Sequence, residues 1–295
     1  MYGKSDEAES IRTIRQAADL GVTLLDTSDV YGAGENELLV GKAIKGRRQD
    51  YVVTTKFGVV PAVDGRPGRY DGSPTFIRES CDASLQRLGV DAIDLYLQHR
   101  IDPNVPVEES IGTLAELVSE GKVRFIGLSD TTPDVIRRAN AVHPISVLQS
   151  EYSLVERGVE DDILGVCEEL GVGFMAFSPL CRGLLTGQLV DTTVLDEGDV
   201  RKTNHFPRVG PDFLQTNAGM LEPLREVADQ RNCSQAQVAL AWLLAQRPYV
   251  VPIPGARTVD ELISNAAAVD VELSDSDLEL LDGLATAITG ERVRR

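Results

Sequence analysis

The feature that most constrains how this chain folds is a regular alternation of two kinds of segment. Short stretches that are almost continuously apolar and rich in β-branched residues are separated by longer amphipathic stretches. Strands of this composition are typically buried on both faces, as in a parallel sheet that helices cover. Seven strands are predicted: VTLLD from Val22, YVVTT from Tyr51, IDLYLQ from Ile93, RFIGLS from Arg124, SVLQS from Ser146, GFMAF from Gly173 and YVVPI from Tyr249.

The amphipathic stretches carry the start and stop signals of helices. Ser73 and Pro74 open one of them as a cap residue followed by proline in the first turn, and Gly89 closes it. Gly21 ends the first stretch in the same way. The other predicted helices are Glu108–Val118, Pro133–Ala141, Val159–Leu170, Thr258–Ala267 and Ser274–Ala287, after a first helix over Ala8–Leu20.

Strand followed by helix, repeated, predicts an α/β fold of parallel units with right-handed crossovers, and specifically a (β/α)8 TIM-type barrel. Seven strands are readable where a barrel needs eight. The expectation is either a shortened barrel with an exposed edge or a first strand that precedes Met1. No linker or repeat interrupts the pattern, so residues 1–295 are expected to form a single domain. The segment Gly187–Gln215 has no clear period and is expected to be a long functional loop.

Charge and composition exclude several classes of function. The chain has 29 Lys and Arg against 46 Asp and Glu, a net charge of −17, which disfavours binding to nucleic acids or anionic membrane surfaces. No apolar run approaches the roughly 20 residues of a membrane span, and the polar N-terminus lacks a signal-peptide core. A cytoplasmic protein is predicted. The four cysteines and three histidines lack the spacing of a metal site, so no metal is expected.

Polar residues follow the predicted strands at the ends where a barrel builds its active site. They include Asp26 and Tyr31 after the first strand, Lys56 after the second and His99 after the third. A tyrosine hydroxyl has a pKa near 10, which a neighbouring ammonium lowers, and a carboxylate keeps that ammonium charged. An imidazole nearby can orient a carbonyl oxygen. Together these four side chains predict a carbonyl-polarising acid that needs no metal.

Motifs for nucleotide binding are weaker in this sequence. There is no P-loop, no G-x-S-x-G elbow and no G-x-G-x-x-G after a strand. The segment VPIPGARTVDEL offers backbone amides of Gly255 and Ala256 at the start of a helix, with Arg257 beside them. This arrangement favours phosphate binding. The alternative is that Pro254 and Gly255 form a tight turn and nothing more.

Several blocks of the sequence resemble the aldo-keto reductase family in family order. They include LGVTLLDTSDVYGAGENELLVGKAI, YVVTTKFG, DAIDLYLQHRIDP, GKVRFIGLSD, LQSEYSL, AFSPLCRGLLTGQL and VVPIPGARTVDELISNAAA, from about Ser5 to about Asp282. The branch that the chain resembles most is the bacterial one similar to potassium-channel β subunits. The resemblance implies that Tyr31 donates a proton, that Asp26 and Lys56 tune it, and that His99 orients the substrate carbonyl.

The same resemblance implies a set of cofactor-binding residues. Ser129, Asp130 and Gln149 match positions that hydrogen-bond the nicotinamide carboxamide, and Phe177 matches the stacking aromatic ring. The pyrophosphate segment is implied to be Ser178, Leu180, Arg182 and Leu184, and the adenosine end to be held by Gly255, Arg257 and Asn265. Asp130 stands where many members have asparagine, and Phe177 where many have tyrosine. Glu261 falls where some members have an arginine for the 2′-phosphate, which favours NAD, but Arg257 can take the place of that arginine. NADP is therefore expected, with NAD as the alternative.

Three functions are compatible with these residues. The first is NAD(P)H-dependent reduction of an aldehyde or ketone, with a small carbonyl compound as substrate. The second is a nucleotide-binding regulatory or accessory subunit with little turnover. The third is a barrel recruited to non-redox chemistry such as dehydration or epimerisation. A monomer or a homo-oligomer is expected, and an unpaired barrel edge would favour a dimer.

Overall fold

The computed structural model describes residues 6–62, 68–189, 191–203 and 205–292. Its strands are β1 (Leu24–Asp26), β2 (Val52–Phe57), β3 (Val59–Val60), β4 (Arg69–Tyr70), β5 (Ile93–Gln98), β6 (Val123–Ser129), β7 (Val147–Glu151), β8 (Gly173–Phe177) and β9 (Val250–Pro252). Its helices are α1 (Glu7–Asp19), α2 (Glu35–Ile44), α3 (Pro74–Leu88), α4 (Val107–Ser119), α5 (Pro133–Val142), α6 (Ile163–Leu170), α7 (Leu214–Gly219), α8 (Glu222–Arg231), α9 (Gln235–Gln246), α10 (Val259–Ala266), α11 (Asp275–Asp282) and α12 (Leu284–Ala287).

The chain divides into two compact units. The first unit lies within Ser10–Ser150 and Glu160–Met175. The described residues of the second unit are 6–9, 151–159 and 176–292.

The first unit is built on a parallel sheet whose neighbouring strands follow chain order. β1 pairs with β2, β2 with β5, β5 with β6, and β6 with β7, all in parallel. The register sets Asp26 beside Thr54 and Lys56 beside Leu97. Because parallel strands place their carboxyl ends on the same edge, polar residues that follow them gather there. A small antiparallel hairpin, β3 with β4, follows β2.

Helices of the first unit end where the sequence predicts. The N–H of Gly89 donates to the carbonyl of Gln86. This glycine has φ of 65°, which residues with a side chain rarely adopt. Ser73 precedes α3, but its hydroxyl donates to Asp71 Oδ1 at 2.7 Å and makes no cap bond to the helix. Ser73 is therefore the cap residue by position, as predicted, although its side chain makes no hydrogen bond to the helix.

The second unit packs helices around the largely buried helix α9. Trp242 on α9 is fully buried and meets the ring of Tyr152 at 5.6 Å between centroids. Ser234 and Gln237 form a reciprocal capping box at the start of α9. The N–H of Ile253, just after β9, donates to the carbonyl of Ala176 at 3.0 Å.

The α/β class and the seven predicted strands are confirmed in the described part of the chain. The predicted helix over Val159–Leu170 is divided into a 3-10 turn, Gly158–Glu160, and α6. The last predicted helix is likewise divided at Gly283 into α11 and α12. The long loop contains three 3-10 turns and the start of α7. Within the described residues, none of the helices has the length and apolarity of a membrane span.

Candidate active site

A buried lysine lies at the centre of the candidate site in the first unit. Lys56, on β2, has no solvent exposure, and its Nζ donates to Asp26 Oδ2 at 2.6 Å and to the carbonyl of Thr27 at 2.8 Å. Asp26 ends β1, the strand beside β2, and its other oxygen accepts from Gln149 Nε2 at 2.8 Å. Two contacts from the end of β1 therefore hold the ammonium, and Gln149 on β7 holds the carboxylate that binds it.

Lys56 stays charged although it is buried. Burial disfavours the charged form, but the Asp26 carboxylate and Tyr31 outweigh it, and the pKa of Lys56 is raised above its ordinary value. The ammonium is thus present at every physiological pH. It forms a fixed positive charge at the carboxyl edge of the sheet.

Tyr31 presents its ring to both the lysine and the histidine. It opens a 3-10 turn, Tyr31–Gly34, in which Gly32 and Ala33 have left-handed backbone angles. The Nζ atom of Lys56 lies 5.0 Å from the ring centroid. The ring of His99 meets it edge-on, with centroids 6.0 Å apart and an interplanar angle of 85°. The four residues predicted to be catalytic are therefore brought together.

His99 is neutral. It follows β5, and its backbone N–H donates to the carbonyl of Phe57 at 2.8 Å, which fixes its place beside β2. Burial, reinforced by the nearby charges of Lys56 and Arg100, lowers the pKa of His99 to about 3. A neutral imidazole has one N–H and one bare nitrogen, so it can donate or accept one hydrogen bond according to its tautomer.

A second set of predicted residues is held together by an arginine that the sequence analysis missed. Arg100 Nη1 donates to the carbonyl of His99 at 2.6 Å and lies 3.4 Å from Ser129 Oγ. Its Nη2 forms an ion pair with Asp130 at 3.2 Å. Asp130 adopts a left-handed backbone, with φ of 52°, and its N–H donates to the carbonyl of Gln149 at 2.9 Å. Only a conserved-spacing signal after β5 could have suggested Arg100, and one sequence does not provide it.

The predicted pyrophosphate segment lies in the second unit and is unusually bent. Ser178, Cys181 and Arg182 all have positive φ, which is costly for residues other than glycine. The carbonyl of Leu180 accepts hydrogen bonds from the N–H groups of Gly183 and Leu185. Leu184 is fully buried, backbone included, so it supports this segment from the core.

Arg182 is already engaged by a buried carboxylate. Its two terminal nitrogens donate to Glu151 at 2.6 and 3.1 Å, and its guanidinium lies 4.0 Å from the ring of Phe206. Glu151, which is 1% exposed, also forms an ion pair with Arg292, whose Nε lies 3.0 Å from Glu151 Oε2. Arg292 lies 5.8 Å from the ring centroid of the half-buried Phe177. The sequence analysis missed Glu151 and Arg292, because ion pairs between distant segments leave no local pattern.

The predicted adenosine-binding corner also forms one cluster. The amides of Gly255 and Ala256 were expected at a helix start, but α10 begins at Val259 and Thr258 caps it by accepting from Glu261 N–H. The backbone N–H of Arg257 donates to Glu261 Oε2 at 2.7 Å, and Asn265 Nδ2 donates to the carbonyl of Gly255 at 3.4 Å. A carboxylate therefore shares this corner with the Arg257 backbone.

The geometry defines a class of site. A phenol, a charged ammonium, a carboxylate and a neutral imidazole meet at the carboxyl edge of a parallel sheet, and no group of His, Cys, Asp or Glu in the described residues has the arrangement of a metal site. Such an arrangement can donate a proton to a substrate oxygen without a metal.

Comparison with known proteins identifies the family. The Aldo/keto reductase family model matches residues 1–286, and the chain belongs to this family. A "Probable aldo-keto reductase 1" from Glycine max is 44% identical over 274 residues, which are 92% of this chain and 78% of the relative.

Solved structures agree with this assignment. The glycerol dehydrogenase AKR11B4 from Gluconobacter oxydans has a TM-score of 0.87 at 30% identity, covering 99% of this chain and 90% of that one. An aldo/keto reductase from Klebsiella pneumoniae in complex with NADP and acetate has a TM-score of 0.75 at 28% identity, covering 98% and 89%. The likeness confirms the predicted family and fold class.

Proposed function

We propose that the protein is an NADPH-dependent carbonyl reductase that converts a small aldehyde or ketone to an alcohol. The observation that carries this proposal is the buried Lys56 ammonium between the Asp26 carboxylate and the Tyr31 ring. A structural lysine would not need complete burial beside a phenol, because most lysines keep their ammonium in water. This ammonium is placed where it stabilises negative charge that develops on the tyrosine oxygen.

The four side chains take distinct roles in this reaction. Tyr31 donates its proton to the carbonyl oxygen, which becomes the alcohol oxygen. Lys56 stabilises the phenolate that remains, and Asp26 keeps Lys56 charged and oriented. The neutral ring of His99 orients the carbonyl by a hydrogen bond from a ring N–H. A charged imidazolium would instead bring a second cation beside Lys56.

The cofactor is assigned to residues whose chemistry suits a dinucleotide. When bound, NADPH supplies the hydride. Phe177 is half-buried at the end of β8 and offers an aromatic face, and the Asp130 carboxylate and Gln149 amide offer polar groups for a carboxamide. Arg257, exposed before α10, offers a guanidinium for phosphate. The NADP and NADPH found in the Klebsiella pneumoniae structures support this choice.

The roles of the other predicted cofactor residues are part of the same proposal. Ser129 lies beside Asp130 at the end of β6. The pyrophosphate would meet mainly backbone groups of Ser178, Leu180 and Arg182, since the Arg182 side chain is already paired with Glu151. The fully buried Leu184 would support this segment from the core. Gly255 and Asn265, joined by a hydrogen bond, would frame the adenosine.

The test removes one hydroxyl group. Tyr31→Phe is expected to lower carbonyl-dependent NADPH oxidation by at least about 100-fold, the size of a general-acid contribution, while the nucleotide dissociation constant changes less than about threefold. Oxidation is followed by loss of NADPH absorbance with a panel of small aldehydes and ketones.

Tyr51→Phe is the matched control. Tyr51 lies at the other end of β2, and its hydroxyl donates to the carbonyl of Ile14 at 3.1 Å, far along the strand from Lys56. This variant also loses a single tyrosine hydroxyl and is expected to keep its turnover. Equal turnover in Tyr31→Phe and Tyr51→Phe would remove Tyr31 as the acid.

A further inference from the structure

Two linked polar side chains, Ser28 and Asp29, approach the candidate catalytic histidine. Ser28 is fully buried, and its Oγ lies 3.3 Å from His99 Nδ1 and 3.1 Å from Asp29 Oδ1. No described residue makes a hydrogen bond with the other ring nitrogen, Nε2. The hydroxyl of Ser28 therefore bridges one carboxyl group and one neutral imidazole.

We propose that Asp29 and Ser28 form a relay that sets the tautomer of His99 and so decides whether its Nε2 atom donates or accepts a hydrogen bond. This role rests on the proposed function, in which His99 orients the substrate. Asp29 and Ser28 are positioning residues in this proposal, because they act through His99 and not on the substrate.

The hydrogens of Asp29, Ser28 and His99 can be arranged in two ways, which depend on whether Asp29 is ionised. An ionised Asp29 can only accept, so it takes the Ser28 hydrogen, and the Ser28 oxygen then accepts from Nδ1–H of His99. Nε2 is left bare. A protonated Asp29 donates to Ser28 Oγ, and the Ser28 hydrogen turns to Nδ1, which must then be bare. The imidazole proton now lies on Nε2, where a carbonyl oxygen can accept it.

The other contacts of Ser28 are compatible with both hydrogen-bond arrangements. The N–H of Val30 lies 3.5 Å from Ser28 Oγ and occupies one of its two lone pairs in each state. The carbonyl of Lys56 is also 3.5 Å away, but it already accepts from the N–H of Asp29 at 3.2 Å. The shorter distances to Asp29 and His99 favour these two groups as the partners of the hydroxyl.

The surroundings of Asp29 place its titration in an accessible range. Burial, with the charge of Glu37 in addition, raises the pKa of Asp29 to about 6 despite the hydrogen bond from Ser28. The groups that face it are Glu37 on α2, Arg87 on α3 and Tyr96 on β5. Burial holds the pKa of Tyr96 well above its ordinary value, so this phenol stays neutral.

Three charged groups lie near His99. Lys56 and Arg100 are positive neighbours, and Asp130 is a negative one. Asp130 is paired with Arg100, and the pKa of Lys56 is raised above its ordinary value. Because the pKa of His99 is about 3, its ring stays neutral while Asp29 titrates. A change at His99 between pH 5 and pH 8 is then a change of tautomer.

The experiment is ¹⁵N NMR of the ring nitrogens in the full chain labelled at histidine, between pH 5 and pH 8. His99 is assigned with His143→Gln and His205→Gln, since the chain has three histidines. The wild type is expected to have the proton on Nε2 at pH 5 and on Nδ1 at pH 8, with a midpoint near the Asp29 pKa of about 6. Asp29→Asn, whose amide donates like the protonated acid, is expected to keep the proton on Nε2 throughout.

Two further variants test whether the tautomer change depends on the Ser28 bridge. Ser28→Ala breaks the bridge and is expected to abolish the midpoint, while Asp161→Asn removes an exposed carboxylate of the same unit and is expected to leave it unchanged. A wild-type ring that keeps one tautomer from pH 5 to pH 8 would overturn the proposal. So would an Asp29→Asn variant that follows the wild-type profile.

Kinetics separate this proposal from the proposed function. The kcat for carbonyl reduction is expected to fall by up to about tenfold per pH unit above the midpoint in the wild type, and this fall is expected to be absent in Asp29→Asn. A tautomer change without any reduction of carbonyl compounds would support the relay and overturn the reductase. Reduction of carbonyl compounds by an enzyme whose His99 keeps one tautomer would support the reductase and overturn the relay.

Discussion

At the scale of single residues, the site is governed by which buried charges are compensated. Lys56 keeps its charge because Asp26 lies 2.6 Å away, and Glu151 keeps its place because Arg182 and Arg292 both bind it. Asp29 has no cation in contact with its carboxyl group among its described hydrogen-bond and ion-pair partners, so burial raises its pKa. The same residue type therefore serves as the ion-pair partner of an ammonium at position 26 and as a titrating group at position 29.

Choice of nucleotide is expected to depend on two residues before and in α10. Arg257→Ala is expected to weaken NADPH binding about tenfold or more and NADH binding much less, because a charged hydrogen bond to the 2′-phosphate is worth about 1.5–3 kcal/mol. Glu261→Gln is expected to strengthen NADPH binding, because it removes a carboxylate 2.7 Å from the Arg257 backbone nitrogen. Fluorescence titration with both nucleotides measures the two dissociation constants.

The opposite pattern would contradict the assignment of the 2′-phosphate to this corner. If Arg257→Ala weakened the binding of NADPH and NADH equally, the guanidinium would instead contact a phosphate that is present in both nucleotides. Asn265, whose amide bonds to Gly255, would then be the next residue to test.

The four catalytic candidates could be predicted because Asp26, Lys56 and His99 end or directly follow recognisable strands, and Tyr31 lies in the loop after the first of them. Chemistry then selected them, since Asp, Tyr, Lys and His form a coherent acid. Arg100, Glu151 and the relay through Ser28 could not be found this way. Ser28 is a small hydroxyl residue in the loop that follows β1, and its proposed role depends on its distance to His99, which is 71 residues away. Such side-chain geometry is not encoded in local periodicity.

At the scale of secondary-structure elements, the contact between α2 and α3 depends on a glycine. A Cβ atom on Gly41 would lie 2.7 Å from the carbonyl oxygen of Leu88 and 2.8 Å from that of Arg87. Both oxygens belong to the backbone at the end of α3. The two helices can approach this closely because residue 41 has no side chain.

Gly41→Ala is therefore expected to destabilise the protein by about 1–3 kcal/mol, the usual cost of an overpacked contact, although alanine favours a helix. Gly112→Ala in α4 is the matched control, because its Cβ would meet no atom within 4 Å. It is expected to raise stability by up to about 1 kcal/mol. Urea unfolding followed by circular dichroism measures both. A Gly41→Ala variant as stable as Gly112→Ala would show that the helices separate at no cost.

The elements that the sequence does not predict have identifiable causes. Helix α9 is apolar on nearly every face, with seven buried residues, so it lacks the polar stripe that marks an amphipathic helix. Helix α8 is the reverse, with few apolar residues to define a face. Helix α2 begins directly after three residues of a left-handed turn region, where no side-chain cap announces it. Tertiary packing, more than local pattern, specifies these helices.

At the scale of the whole molecule, ligand binding and stability are linked. If the protein binds NADPH in its folded state, the nucleotide is expected to stabilise it by about 2.7 kcal/mol at 100 times the dissociation constant. Differential scanning fluorimetry is expected to show a rise of several degrees in Tm. NADH at the same concentration is expected to produce a smaller rise. Identical melting curves with and without NADPH would contradict a nucleotide-binding function. The single domain, the oligomeric state and the cytoplasmic location stay predictions.

The division of the chain into two units also matters for protein engineering. The four catalytic candidates and the relay lie in the first unit, whereas Arg257, Glu261 and Asn265 lie in the second, on a stretch of about a dozen residues of sequence. If the proposed nucleotide site is right, a gene-shuffling library that exchanges residues 254–266 among relatives is expected to vary nucleotide choice while the four catalytic candidates stay unchanged. Selection for use of the cheaper cofactor can then proceed by recombination, without repairing the catalytic machinery after each exchange.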